Sequence, residues 1–400
     1  MHPVHRAQVP LRTVRRLEPA DVQPEVQPDS STGRSGDRFI DLSLVACTAC
    51  GHLFNAGFDD ALADALYGDG PLTNVPVHPS MIGRLQDLIG WLGLEEAGGD
   101  VVEVGCGAGH LARILAPRSR MVTVYEPNRS LRPDMLPEAN ITLVQAPLPP
   151  EGRPGTADFV ICRQVLEHVS SPYALMRAIR ATLRDGGSAY LEVPNGAWVE
   201  RTAAFMDIHL QHVQYFSLEG FCHLAARAGL RPVKHQWIKD GHDFGVLFTT
   251  DEPRESPVGR PEAGIAGPEL GQRFQDRIAA ARNRLAAIGG AVAVYGATAQ
   301  AQAFVNAVAG CRRFCVALDD TPGLAGFALF DPFHRIPIAL PSAEALDGVE
   351  AVVITAYLHD EVIARGLRSR GFAGTILSTR TVPVPDNDIG LDWLYAAERV

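Results

Sequence analysis

No uninterrupted apolar run in the 400-residue chain is long enough to span a bilayer, so no membrane-crossing helix is expected. The first twenty residues are basic and lack an apolar core segment, so a secretory leader is not expected either. Cysteine is scarce: seven residues, an odd number scattered along the chain and none before Cys47, do not describe a disulfide framework. Basic charge is short as well. Lys and Arg number 36 against 46 Asp and Glu, a formal net charge of −10, which leaves no global field to draw the chain to nucleic acid. The one basic cluster, Arg6 to Arg16, reads as a solvated arm. The expectation is a cytoplasmic protein with neither a nucleic acid nor a membrane as partner. What the chain does have is apolar content, 46%, enough for two or three domains with cores of their own. Composition is compatible with a monomer or a homodimer.

The densest information lies in Val101-Val102-Glu103-Val104-Gly105-Cys106-Gly107-Ala108-Gly109. An apolar run interrupted by one acid leads into three alternating glycines. Leu111, Ile114 and Leu115 then repeat at helical spacing. The order predicts a buried strand, a tight turn and a helix opening. Glycine allows φ > 0 and lets the backbone lie close to a ligand. The spacing G-x-G-x-G is not the G-x-G-x-x-G of nicotinamide dinucleotide sites. An acid at Glu103 would also repel a pyrophosphate, whereas it suits a cationic ligand.

The flanking segments continue the pattern. Met121 to Tyr125 reads as a second strand ending at Glu126-Pro127, and a carboxylate at a strand's C-terminal edge suits the two hydroxyls of a ribose. Ile141 to Val144 is a third strand, and the Gln145 and Ala146 that follow are placed to floor an adenine. Asp158 to Cys162 is a fourth, followed by Arg163-Gln164-Val165-Leu166-Glu167-His168-Val169. Leu183 to Gly187 reads as a turn into a fifth strand, Tyr190 to Asn195.

These five features, in this order, resemble the class I S-adenosylmethionine (SAM) methyltransferases. The resemblance implies that Glu103, Gly105, Cys106, Gly107 and Gly109 line the amino-acid end of SAM. It implies Glu126 and Pro127 at the ribose, Gln145 and Ala146 at the adenine, and Arg163, Gln164 and His168 over the methionine side.

Further along, residues 79–95 have helical periodicity. Pro253, Pro257, Pro261 and Pro268 mark a linker at 251–270, and a helix is predicted over 271–288. The last third has its own strand–helix alternation. Ala291 to Tyr295 enters a glycine turn at Gly296, a helix runs over Ala299 to Val308, and strands follow at Phe314 to Leu318 and Val352 to Thr355. A last helix is predicted near Asp360 to Arg370. This predicts a second parallel sheet. Asp319 and Asp320, at a strand end, read equally as turn formers or ligands. Only Gly296 of a dinucleotide fingerprint is present, so no second cofactor is expected.

The fold class expected is therefore α/β: a class I methyltransferase Rossmann-like domain, a second C-terminal α/β Rossmann-like domain and a small N-terminal module. The expected boundaries are a flexible arm at 1–40, the module at 41–78, the SAM domain at 79–250, the linker at 251–270 and a substrate domain at 271–400.

Taken together, the three parts resemble SAM-dependent C-methyltransferases that act on nucleotide-linked keto-deoxysugars in bacterial secondary metabolism. The resemblance rests on Cys47-Thr48-Ala49-Cys50-Gly51-His52 with Phe58-Asp59, on Phe216-Ser217-Leu218, on Tyr295-Gly296-Ala297-Thr298-Ala299-Gln300, and on the turns Asp319 to Gly323 and Ile336 to Ile338. It implies a small-molecule acceptor carried on a nucleotide. Two departures matter. A closed structural zinc site takes four ligands, and this chain offers one C-x-x-C. His2 and His5 have a spacing that would replace the missing pair but lie at the terminus, so the module is expected to be degenerate and without metal. In the family, the segment before Tyr-Phe carries a tyrosine, a glutamate and a histidine as the acid/base group. Here the corresponding residues are His209, Gln211 and His212, followed by Tyr215. The resemblance assigns His212 as base, tunable near neutral pH, and His209 as donor if a helix puts it on the same face. Gln211 would orient the acceptor. Methylation of an oxygen or nitrogen, or a SAM-binding scaffold without turnover, are the competing readings.

Overall fold

In the computed structural model, the described residues are 42–47, 50–58, 72, 79–95, 98–251, 267–311, 313–331 and 333–380, with short strand segments at 4–6, 12–14, 39–41 and 395–396. Residues 252–266 of the linker expected at 251–270, most of the N-terminal arm, His2, Thr48, Ala49, Asp59 and the side chain of His5 lie outside them, while residues 267–270 of that expected linker are helical. The chain divides into two compact units. The first comprises Met1–His5, Ala46–Ala197 and Gln211–Gly264, and the second Arg6–Val45, Trp198–Leu210 and Ile265–Val400. The expected 79–250 domain is thus interrupted: residues 198–210 belong to the second unit. Nor does the Cys47 segment stand alone as a module, since it is part of the first unit.

The first unit contains, in order, β1 (Leu53–Asn55), α1 (Pro79–Leu92), β2 (Asp100–Val104), α2 (His110–Leu115), β3 (Met121–Tyr125), β4 (Ile141–Val144) and β5 (Ala157–Arg163). It continues with α3 (Pro172–Thr182), β6 (Leu183–Pro194), β7 (Gln214–Tyr215), α4 (Leu218–Arg227), β8 (Arg231–Ile238) and β9 (Asp243–Thr249). Seven strands form one sheet in the order β8–β9–β6–β5–β2–β3–β4. Neighbours from β6 to β4 are parallel, and β9 enters antiparallel between β8 and β6. The predicted turn at Leu183 to Gly187 is instead the start of β6, with the register broken between Leu183 and Ser188. Helices cover both faces, so the central strands are apolar nearly throughout. Val102 and Val104 pack with Met176, Ile179 and Phe221 on one face. Val101 packs with Leu88, Leu111 and Leu115 on the other. By the two-residue period of a strand, Glu103 shares the Val101 face, toward α1 and α2.

The strand order reverses between β2 and β5, which leaves a crevice at their carboxyl ends, where open α/β sheets bind ligands. The glycine loop leaves β2 at that point.

The second unit holds α5 (Gly267–Ala286), β10 (Ala291–Tyr295), α6 (Ala299–Ala307), β11 (Phe314–Leu318), β12 (Ala328–Phe330), β13 (Arg335–Ala339), β14 (Val349–Ile354), α7 (Asp360–Ser369), β15 (Thr375–Ser378) and β16 (Tyr395–Ala396). Its sheet has the order β12–β13–β11–β10–β14–β15–β16, with β13, β11, β10, β14 and β15 parallel. Ile336 to Ile338, expected as a turn, lies inside β13. At its corresponding switch point a Cβ on Gly296 would stand 2.9 Å from the Ala356 Cβ, and the Thr355 hydroxyl donates to the Tyr295 carbonyl at 2.8 Å. Asp319 accepts from the Ala297 and Thr321 amides at 2.7 and 2.9 Å, the work of a turn former, and Asp320 accepts from the Tyr295 hydroxyl at 2.6 Å.

Candidate functional site

All three glycines of the loop adopt left-handed backbone, with φ of 73° at Gly105, 57° at Gly107 and 76° at Gly109. A side chain is excluded at two of them on space as well. A Cβ at Gly105 would lie 2.3 Å from the Val165 Cγ2, and one at Gly109 2.5 Å from the Leu136 Cδ2. The loop therefore runs flush against the segment after β5.

Glu126, at the end of β3, fixes the same loop from the other side. One carboxylate oxygen accepts from the Gly107 amide at 2.8 Å and the other from the Asn128 amide at 3.0 Å. Burial raises its pKa, and those two N–H groups act against the rise. Each oxygen retains a second lone pair, so the geometry leaves acceptors for a vicinal diol. Pro127 is exposed beside it. Gln145 is exposed too, and its amide donates to the Leu131 carbonyl at 2.7 Å, tying the loops after β4 and β3 together; Ala146 beside it is half-buried. Cys106 is buried, and burial pushes its thiol far above the usual range, so it packs as a neutral group.

Glu103 is the most perturbed carboxyl in the loop region. It is 4% exposed, its Oε2 accepts no hydrogen bond, and burial pushes its pKa up to about 7. The Arg163 guanidinium opposes that rise, and so does the Ala112 amide in the first turn of α2. Arg163 is itself held by a two-point pair to Glu192, at 3.1 and 2.9 Å. Burial disfavours its charge, and Glu192 more than offsets this, so it stays a cation. The Tyr190 hydroxyl donates to Glu192 at 2.8 Å and receives from Gln236 at 3.0 Å, which completes a buried polar chain. Gln164, at φ 55°, donates to Asp243 at 3.2 Å. Burial works against the Asp243 charge, but Lys239 at 2.7 Å and His242 at 2.5 Å hold its carboxyl well below the usual range.

These groups surround a cavity of about 470 Å³ lined by Glu103, Gly105, Arg163, Gln164, Trp91 and Lys239, among others. A carboxylate and a guanidinium side by side match the zwitterion of an amino acid. Of the residues the resemblance placed around SAM, Glu103, Gly105, Cys106, Arg163 and Gln164 line the cavity, whereas Gly107, Gly109, Glu126, Pro127, Gln145, Ala146 and His168 are not among its lining residues. The sequence pattern did not point to Glu192, Gln236 or Lys239 as site residues. Glu192 carried a signal, an acid at the end of a buried strand; Gln236 on β8 and Lys239 in the turn after it carried none, and the apolar run of β9, which supplies Asp243, was passed over.

A second cluster follows on the segment after β5. Glu167 is 1% exposed, both its oxygens lack a hydrogen-bond donor, and burial raises its pKa well above the ordinary value. His168 contacts the Gln211 backbone carbonyl through Nδ1 at 2.6 Å, and its Nε2 lies 3.6 Å from Glu167 Oε1. Burial pushes the His168 imidazole down to about 4. The His212 ring centroid is 5.0 Å from that of His168. The backbone brings these together: the Val213 amide donates to the Glu167 carbonyl at 2.7 Å, and the Asn55 amide at the end of β1 donates to the Val213 carbonyl at 2.8 Å.

Three expectations for this segment need revision. His209 and His212 do not share a helical face, because helical geometry is confined to the single turn Phe205–Asp207. His209 is buried and belongs to the second unit, where neighbouring Asp207 accepts from Gln300 at 2.6 Å and Tyr357 at 3.1 Å. Gln211 enters the cluster through its carbonyl, and the Tyr215 hydroxyl donates to the His212 carbonyl at 3.2 Å, closing the turn. In the Cys47 segment, the Cys47 amide donates to the His52 carbonyl and the Gly51 amide to the Cys47 carbonyl, both at 2.8 Å, and Cys47 and Cys50 are not joined by a disulfide. His52 Nε2 lies 2.8 Å from Gln214 Oε1, and burial lowers its pKa.

Sheet order, glycine loop and ribose-type acid define a class I nucleotide-type α/β site. Residues 79–235 match the family model described as a methyltransferase domain. The chain thus carries a class I SAM-dependent methyltransferase domain. It is 32% identical over 113 residues to the ubiquinone biosynthesis O-methyltransferase of Xanthomonas euvesicatoria pv. vesicatoria, covering 26% of this chain and 46% of the relative. It is 30% identical over 138 residues to that of Xanthomonas campestris pv. campestris, covering 32% and 54%. The chain spans about half the length of the curated relatives it matches. Among solved structures, the Burkholderia thailandensis 1,6-didemethyltoxoflavin-N1-methyltransferase with bound 1,6-didemethyltoxoflavin and S-adenosylhomocysteine is similar at 17% identity, with a TM-score of 0.35, over 44% of this chain and 80% of that one. Among the described residues no helix is long and apolar enough to cross a membrane.

Proposed function

We propose that this protein transfers the methyl group of SAM to a small-molecule acceptor. The observation that carries the reading is Glu103: a buried carboxylate with an unpartnered oxygen, facing a cavity beside Arg163, at the sheet's switch point. The residues present fit SAM, with Glu103 for its ammonium, Arg163 for its carboxylate and Glu126 for its ribose hydroxyls. SAM supplies a methyl group already activated by its sulfonium. What remains for the chain is to hold the acceptor in line and exclude water. The acceptor must also lose a proton, and Glu167, His168 and His212 are the groups placed to manage it.

For the acceptor we favour carbon methylation of a nucleotide-linked keto sugar. The support is the Cys47–His52 knuckle, the second α/β unit and the retained His212. A second reading, methylation of an acidic oxygen, is favoured by the O-methyltransferase relatives. The test supplies trideuteromethyl SAM with nucleotide-linked keto sugars and, separately, with catechol-type phenols. Mass and carbon NMR spectra of the products locate the label. A C–CD3 product on the sugar supports the first reading and an O–CD3 phenol ether the second. S-adenosylhomocysteine release with no acceptor from either class overturns both.

A further inference from the structure

Along its carboxyl edge the first sheet runs in the order β3, β2, β5, β6, β9, β8. The groups assigned to SAM fall on the first three strands: Glu126 follows β3, Glu103 lies on β2 and Arg163 ends β5. The cavity continues past them, to Glu192 on β6 and to Gln236, Trp237, Ile238 and Lys239 at the end of β8. Asp243 pairs with Pro194 on one side and Ile238 on the other, so the turn after β8 sits on this same edge. Lys239 opens that turn. Its backbone is left-handed at φ 51°, as is that of Asp240 at 56°. Two consecutive non-glycine residues in that region are costly, and such strain persists only where the surroundings fix it. Here the ammonium is set against the cavity wall, 2.7 Å from Asp243 Oδ2. An ammonium carries three N–H donors, and Asp243 is the only hydrogen-bond partner of Lys239 among the described residues. Asp243 does not depend on it alone, since His242 and Gln164 also hold that carboxylate. Glu167 lies close enough for its carboxyl to feel the charges of both Lys239 and Asp243.

We propose that Lys239 holds the acceptor's oxygen as an oxyanion, so that the protein takes enolisable ketones or phenols and not amines. This role rests on the methyl-transfer reading. Either acceptor has one acidic proton, and its loss leaves a negative oxygen that is, or is conjugated to, the atom to be methylated. The proton passes to the group formed by Glu167, His168 and His212 and on to water, and Lys239 holds the charge left behind. The enolate carbon or phenolate oxygen then bonds to the methyl carbon of SAM, and the carbon–sulfur bond breaks with its electron pair kept by sulfur. N–H donors fixed in advance need no reorganisation as that charge develops. The same ammonium repels a protonated amine. The other buried acids on the cavity wall are already matched, Glu192 by Arg163 and Glu103 by the donor's ammonium, which leaves Lys239 to the acceptor. Arg84 and Asp87 also line the cavity, but both are exposed and screened by solvent. Trp91 and Trp237 give a planar acceptor apolar walls.

The experiment offers two probes to the full chain in the presence of S-adenosylhomocysteine. 4-Nitrocatechol reports its ionisation through visible absorbance. A nucleotide-linked keto sugar reports enolate formation through exchange of its α-proton in D2O, followed by NMR. In the wild type, either the nitrocatechol binds as phenolate with its ionisation midpoint lowered, or the sugar exchanges faster than in buffer; the probe that responds names the acceptor class. Lys239→Gln keeps a hydrogen bond to Asp243 without the charge and should cut the response at least about tenfold, one unit in the midpoint. Lys239→Arg should restore most of it, which a merely structural lysine does not predict. Thermal melts identify a Lys239→Gln protein that fails to fold, and Lys239→Met then decides. SAM affinity, measured on the same samples, should be unchanged by these substitutions. No response from either probe, or one that folded Lys239→Gln leaves intact, overturns the assignment even if SAM binds. Loss of SAM binding in the wild type would instead overturn the methyl-transfer reading and leave the oxyanion result standing.

Discussion

Replacing Glu103 by glutamine tests the site through two linked pH dependences. In the folded chain the carboxyl titrates at about 7, against 4.5 for an ordinary one. At 1.36 kcal/mol per unit, that shift is worth about 3 kcal/mol. The sign follows from proton counting. Between pH 4.5 and 7 the folded state holds a proton that the unfolded state has released, so stability falls as pH rises through that window and levels off above it. Denaturant titrations of ligand-free protein should show this loss, and Glu103→Gln should lack it. SAM binding runs the opposite way, because an ammonium needs the ionised carboxylate. Wild-type affinity should improve roughly tenfold per unit as pH rises toward 7, so that at pH 5.5 it is about 30-fold weaker than its plateau. The variant should bind independently of pH over 5.5 to 7.5. At pH 7.5 it should be weaker by about 3 kcal/mol, or roughly two orders of magnitude in Kd, the cost of leaving a buried charge unpaired. Calorimetry at four pH values reads all of this. Equal affinity and an equal pH profile in the two proteins would refute the assignment of Glu103 to the donor's ammonium.

Other perturbations follow from the same geometry. Gly105→Ala places a Cβ against Val165 and forces a left-handed alanine, so urea melts should show a loss of at least about 2 kcal/mol. Adding Val165→Ala should return the steric part and not the backbone part. Arg163→Ala strands buried Glu192 and should lower stability by about 3 kcal/mol while abolishing measurable SAM binding. Glu126→Gln leaves one oxygen where two amides were held, so SAM affinity should drop about tenfold, read by equilibrium dialysis.

Much of the first unit was legible because its strands are buried on both faces and read as short apolar runs. Ile141 to Val144 is a strand over the same residues predicted, Met121–Tyr125 stops just short of Glu126, the expected strand end, and Asp100–Val104 opens one residue early. Glycine at 105, 107 and 109 announced a backbone no other residue adopts cheaply, which is why the loop could be placed from sequence. Strands β8 and β9 were not seen. Arg231–Ile238 is half polar and faces water along much of its length, so neither a regular alternation nor an apolar run marks it. The histidine segment misled for a different reason. The three-residue spacing of His209 and His212 implies one face only if a helix forms, and the chain instead turns there and passes between units. Glu167 stood in the motif from the start, but nothing local reveals that a carboxylate will be buried without a donor. That is a property of packing.

The central claim is that the crevice at the ends of β2 and β5 holds SAM. A crystal structure of the full chain grown with saturating S-adenosylhomocysteine tests it most directly. The account predicts density with the amino group on Glu103 and the carboxylate toward Arg163 in the 470 Å³ cavity, and with the ribose hydroxyls outside that cavity on Glu126. Density for the nucleoside anywhere else, or an empty crevice at saturation, would contradict it.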